Sequence, residues 1–206
     1  MMKRQKKKNI DVKEQLLCCA LELFTRKGYT ATSVREIVSL AGVTKPALYY
    51  HFKNKEEIYL NLVGRFFAKI ESLFVDVARA QLSIKDQLFD LCDRVLLLFA
   101  ENKDLARLIH AIYYGPPQGA PFFDFKSYHI NILRHIRRII RRGILIGELR
   151  DGNADDMAWA FLGAGQVAVE EQLSAGKARI DRKKLRRILN VIFVGIAVEN
   201  TLPRGK

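Results

Sequence analysis

The chain has 206 residues, 49% of them apolar, and a formal net charge of +13. Length and apolar share fit one or two globular domains with a sizeable core and exclude a chain that cannot build one. The basic balance points to polyanionic partners, either nucleic acid or an anionic membrane surface. Three cysteines, Cys18, Cys19 and Cys92, form neither a disulfide framework nor a metal spacing, so they are expected as small buried hydrophobes in a reducing cytosol. No stretch has the pattern of a signal peptide or a membrane span, and the expected location is the cytoplasm.

Residues 1–9 carry Lys3, Arg4, Lys6, Lys7 and Lys8 without a core-forming residue, which predicts a disordered basic tail. Two uses stay open for it: a solubilising segment, or an arm that adds salt-sensitive contacts to DNA phosphates or the minor groove. Asp11 begins a helix to about Lys27, with Leu16, Ala20, Leu23 and Phe24 at helical spacing and Gly28 ending it. Thr32 or Ser33 then caps a second helix in which Val34, Ile37, Val38 and Ala41 share a face. Gly42 stops that helix, Thr44 caps a third, and Pro46 falls in its first turn, where a missing N–H costs nothing. Val43, Leu48 and Phe52 are the expected packing side of this short helix, leaving Lys45, Ala47, Tyr49, Tyr50 and His51 facing outward.

This is the layout of a helix-turn-helix, whose second helix enters the major groove. Charge supports it: residues 1–65 hold thirteen Lys and Arg against six Asp and Glu. The segments ALELFTRKGYTATSVREI and LAGVTKPALYYHFKNKEEI, within Ala20 to Ile58, resemble the TetR family of bacterial transcriptional regulators. The remaining three quarters of the chain match that family only in length and helical character. The resemblance implies an all-α protein: an N-terminal three-helix DNA-binding domain over 10–58 and a helical regulatory and dimerisation domain over 59–206.

Asn54 caps a long fourth helix from Lys55 to about Ala80, with Glu56 and Glu57 favourably placed in its first turn. It leaves the first domain and enters the next, as a lever between them. Ser83 and Asp86 open a fifth helix through Leu98 in capping-box fashion, and a sixth covers about Lys103–Tyr114. The segment Gly115–Pro121, GPPQGAP, breaks the chain. A seventh helix, about Phe123–Ile146, carries an apolar stripe of Ile132, Ile136, Ile139, Ile140 and Gly143 beside an arginine stripe of Arg134, Arg137, Arg138, Arg141 and Arg142. An eighth starts at Asn153 or Asp155 and runs to about Ala175, and a ninth begins at Asp181 and reaches Ile196. The resemblance implies that these last two helices form a four-helix homodimer interface with their copies.

Position on the motif assigns candidate DNA contacts. Lys45, Pro46 and Ala47 lie nearest the base edges, where a lysine reaches guanine O6 or N7 and an apolar surface meets a thymine methyl. Tyr49, Tyr50 and His51 reach bases or phosphates, and one of the two tyrosines is alternatively structural. Ser33, Arg35, Thr44 and Lys55 are phosphate candidates that set register. The matching positions contact DNA in the resembled family. That resemblance also implies a small-molecule inducer pocket, for which His110, Tyr113, Tyr114, Phe122, Phe123, Phe125, His129, Trp159 and Gln166 have the right mix of aromatic and polar groups, as an ordinary core also does. His110 and His129 lack metal spacing, no cofactor motif occurs, and no phosphate loop, nucleophile elbow or paired-carboxylate arrangement suggests an enzyme. The expected partners are double-stranded DNA with a palindromic operator, a second copy of the chain and an inducer, and not a membrane. The reading is a repressor released by its ligand; the alternative is a basic amphipathic protein binding anionic membrane or nucleic acid nonspecifically.

Overall fold

The computed structural model describes residues 11–115, 119–174 and 180–195. The basic tail, the centre of the Gly115–Pro121 breaker, the last residue expected of the eighth helix and the end of the ninth lie outside them. The described residues form helices and no strand: α1 (Val12–Lys27), α2 (Val34–Ala41), α3 (Lys45–His51), α4 (Lys55–Arg79), α5 (Ile84–Glu101), α6 (Lys103–Tyr114), α7 (Phe125–Leu145), α8 (Ala154–Leu173) and α9 (Arg182–Val194). Capping chemistry sets most of their starts. The side chains of Asp11, Ser33, Thr44, Asn153 and Asp181 each accept a backbone N–H from the first turn of the helix they precede. Ser33 is therefore the cap of α2. Thr32 is buried instead, its hydroxyl donating to the Gly28 carbonyl at 2.8 Å.

Contacts divide the chain into two compact units whose sequence ranges interleave. The first takes the chain up to Lys69 together with Asn102–Phe125; the second takes Ile70–Glu101 and the chain from Lys126 onward. The division departs from the boundary after residue 58 expected from sequence, because α6 packs on α1. In the first unit Leu16, Ala20, Phe24, Ile37, Leu48, Phe52, Ile58, Val63 and Phe66 are fully or nearly fully buried, a core contributed by α1 to α4. Gly64 lies within α4, and a Cβ there would meet nothing within 4 Å.

In the second unit α5 packs against α8 and α9. Ile84, Leu88, Leu91, Ile136, Ile140, Ala158, Phe161, Leu185 and Leu189 are buried. The polar groups are paired across helices: Asp93, itself buried, accepts from Arg186 at 2.6 and 3.0 Å and from Arg182 at 2.7 Å, and Arg186 also covers the Phe89 ring. Burial pushes the Cys92 thiol up to about 12, which leaves it an unreactive apolar side chain, whereas Cys18, expected to be buried, is exposed and Cys19 is half-buried. The apolar stripe of α7 runs through Leu133, Ile136, Ile139, Ile140 and Gly143, with Leu133 rather than Ile132 on the buried side. Gly143 has a steric reason: a Cβ there would come within 2.8 Å of Ile84 and Leu149. The arginine row is divided in two. Arg137 pairs with Asp155 and Arg142, though exposed, donates to Gln87, while Arg134, Arg138 and Arg141 are exposed without such a partner on another helix among the described residues.

Candidate nucleic-acid interface

The α2–α3 pair is fixed from three sides. Gly42 adopts φ +63°, the left-handed conformation that glycine takes without strain, and the N–H of Val43 returns to the Val38 carbonyl at 3.0 Å, closing α2. Gln15 on α1 donates to the Ala41 carbonyl at 2.7 Å, satisfying another end group of α2. Leu48 and Phe52 then seat α3 in the core at 0% and 2% exposure. Val43, expected beside them, is only half-buried.

Seating Leu48 and Phe52 inward turns the rest of α3 outward. Lys45, Pro46, Tyr49 and Tyr50 are exposed, Tyr50 to 85%, while Ala47 and His51 are half-buried. The Tyr50 and His51 rings meet edge to face at 5.0 Å near the end of α3, whose start carries Lys45. Arg35 and Thr44 are exposed nearby in sequence, the Thr44 oxygen accepting the Ala47 N–H at 3.3 Å. Such a face offers one ammonium, apolar surface and polar ring edges, without an acidic residue on α3.

Two expected phosphate candidates have other occupations. The Ser33 hydroxyl donates to Glu36 at 2.7 Å and accepts that residue's N–H, in a capping box completed by the Ser33 N–H. The pattern Ser33-Val34-Arg35-Glu36 carried this signal in the sequence. Lys55 donates to the carbonyls of Tyr29 at 2.8 Å and Thr32 at 2.7 Å, and its ammonium sits 4.1 Å from the Tyr29 ring centre. Two of its three donors are thus used to tie the start of α4 to the loop before α2. Burial, with the nearby Lys27 charge adding to it, lowers its pKa. Around it, Phe24, Tyr29 and Tyr59 form a ring triad with centroids 5.3–6.4 Å apart. None of these contacts has a local sequence signature.

The Lys27 ammonium bonded to Glu36, helped by Ser33, lowers the Glu36 pKa from 4.5 to about 2. A depressed carboxylate stabilises the fold fully above its unfolded pKa and ceases to do so as pH falls through the folded one. The stability difference between the native chain and Glu36→Gln should therefore hold steady near neutrality and shrink between pH 4.5 and 2, as read from melting temperatures.

The ligand candidates separate between the two units. His110, Tyr113, Tyr114, Phe123 and Phe125 belong to the first, where rings adjoin in sequence from His110 to Tyr114, Tyr113, Phe125 and Phe123 at 4.6–5.5 Å. Phe67 of α4 stacks on Phe123 at 5.4 Å, a member of the cluster that the sequence did not disclose. Phe122 is 87% exposed. His129, Trp159 and Gln166 belong to the second unit; His129 and Trp159 rings lie 5.6 Å apart, and Gln166 donates to Glu170. Among the described residues no three His, Cys, Asp or Glu side chains gather as a metal ion would require.

Known proteins resemble both the motif and the fold. The model of the bacterial regulatory proteins of the tetR family matches residues 16–62. The chain is 32% identical over 78 residues to the HTH-type transcriptional repressor BepR of Brucella suis, covering 38% of this chain and 37% of that one. It is 44% identical over 55 residues to the HTH-type transcriptional regulator QacR of Staphylococcus aureus, 27% of this chain and 29% of the other. The matched stretch thus spans about a third of the length of these relatives. Among solved structures, the transcriptional regulator of Aquifex aeolicus VF5 matches at TM-score 0.69 and 25% identity, over 88% of this chain and 99% of that one. The MbdR regulator of Azoarcus sp. CIB matches at TM-score 0.70 and 24% identity, over 91% and 100%.

Proposed function

Since the chain belongs to the TetR family of bacterial regulatory proteins, we propose that it is a DNA-binding transcriptional regulator in which α3 reads the major groove. The observation that carries this reading is the division of α3 into a buried anchor, Leu48 with Phe52, and an exposed face of Lys45, Tyr49 and Tyr50. Lys45, Pro46 and Ala47 meet base edges; Arg35, Thr44 and His51 set register on the backbone. Ser33 and Lys55 contribute by holding α2 and α4 in place.

The protein works as a homodimer through α8 and α9, so that two copies of α3 meet a palindromic operator in successive grooves. Supporting this, Trp159, Val167, Val191 and Val194 remain 48–75% exposed on these helices in the single chain. Occupation of the operator blocks transcription. A small molecule releases it by binding the non-reading arrangement more tightly, because equal affinity for both arrangements shifts nothing. The ring cluster of Tyr113, Tyr114, Phe123 and Phe125 is the first place to look for that molecule, and α4, which runs from the first unit into the second, is the element to carry the change. Selection of bound duplexes from a random pool at fixed salt tests the reading. An inverted repeat is the expected product; salt-sensitive binding without a motif would overturn it.

A further inference from the structure

Helix α7 holds Lys126, Arg134, Arg137, Arg138, Arg141 and Arg142 and no Asp or Glu. Arg137 and Arg142 are engaged by Asp155 and Gln87. Arg134, Arg138 and Arg141 follow at i, i+4 and i+7, so they share the outward side over about 10 Å of helix. Arg134 meets only the neutral Asn131, and neither Arg138 nor Arg141 has an ion pair among the described residues. Like charges at this spacing destabilise a helix. Glu71 of α4 acts electrostatically on His135, which stands between Arg134 and Arg138, but among the described residues no carboxylate pairs with any of the three arginines, and the row stays open to an anion from outside. A second copy meeting it face to face would repeat the repulsion.

Exposed aliphatic side chains bracket the row. Ile130 precedes it on the same side at 45% exposure, and Leu145 and Ile146 follow at the helix end at 86% and 55%. A phosphodiester backbone offers nothing for these three to enter, whereas a lipid surface takes aliphatic side chains into its interfacial layer while arginines reach the phosphates. We propose that this face of α7 docks peripherally on an anionic lipid bilayer, through Arg134, Arg138 and Arg141 with Leu145 and Ile146 inserted. This departs from the sequence-based expectation of no membrane partner. Among the described residues no helix is long and apolar enough to cross a membrane, so the contact is with the surface.

The test is sedimentation of the purified full chain with vesicles of phosphatidylcholine alone or mixed with phosphatidylglycerol, at physiological salt. The native protein is expected to bind only the mixed vesicles. R134Q/R138Q/R141Q is expected to weaken that binding about tenfold or more, without a lower melting temperature, since the substitutions relieve repulsion. L145S/I146S is expected to weaken it at unchanged charge while leaving duplex DNA affinity intact. No binding by the native chain, or equal binding by the triple variant, overturns the proposal. So does a triple variant that loses nonspecific duplex affinity with vesicle binding preserved, or one that loses both equally while L145S/I146S is silent; either makes the row a nucleic-acid face.

Discussion

Leu48→Ala should lower the stability of the first unit by about 2–5 kcal/mol and abolish DNA binding at temperatures where the native chain still binds. Leu48 has 0% exposure and belongs to a helix of only seven residues. So short a helix has little stability of its own, and its place depends on the side chains it buries. Truncation leaves a cavity between α3 and the first two helices, which surrounding side chains fill only in part. The comparison is Tyr50→Ala on the same helix: 85% exposed, it should change stability by less than about 0.5 kcal/mol while weakening DNA binding. Thermal melts of both variants, paired with binding to one duplex, separate the two sides of α3. If Leu48→Ala leaves melting and affinity unchanged, packing is not what seats the helix.

Lys45→Ala carries the second large effect, on recognition. Lys45 stands exposed at the start of α3 and, among the described residues, has no ion pair. Its loss should cost about 1–3 kcal/mol on the selected sequence and relax preference at one base position, with little change on scrambled duplex. Lys55→Met supplies the contrast. Because the Lys55 ammonium bonds the Tyr29 and Thr32 carbonyls, its removal should lower the melting temperature and weaken binding to all sequences together. A residue that only touched phosphate would leave melting unchanged. Equal losses on matched and scrambled DNA for Lys45→Ala would remove it from base reading.

Local chemistry was legible in the sequence because it acts over a few residues. Asp11, Ser33, Thr44, Asn153 and Asp181 mark helix starts as capping rules require, and Gly42 marks the turn. The buried anchors of α3 followed from periodicity. Contacts across long intervals were not legible. Lys55 looked like a phosphate ligand from its place on the motif, yet its carbonyl partners lie 26 and 23 residues earlier. The arginines of α7 looked like one stripe; Gln87, which engages Arg142, is 55 residues away. The aromatic residues near the breaker looked like one pocket, but no periodicity tells which compact unit α6 joins. That depends on the faces of α1 and α6 fitting together.

The interleaved first unit has a consequence for the order in which the newborn chain can fold. Its first stretch ends at Lys69, but the portion that covers α1 is encoded later, from Asn102 to Phe125. At translation rates of about 5–20 residues per second, a ribosome needs roughly 3–11 s to pass from Lys69 to Phe125. Throughout that interval α1 to α3 exist without α6, and the side of α1 that packs on it is open to water and to chaperones. Completion of the first unit therefore waits on the synthesis of α6, well after the last residue of α3 has been joined to the chain.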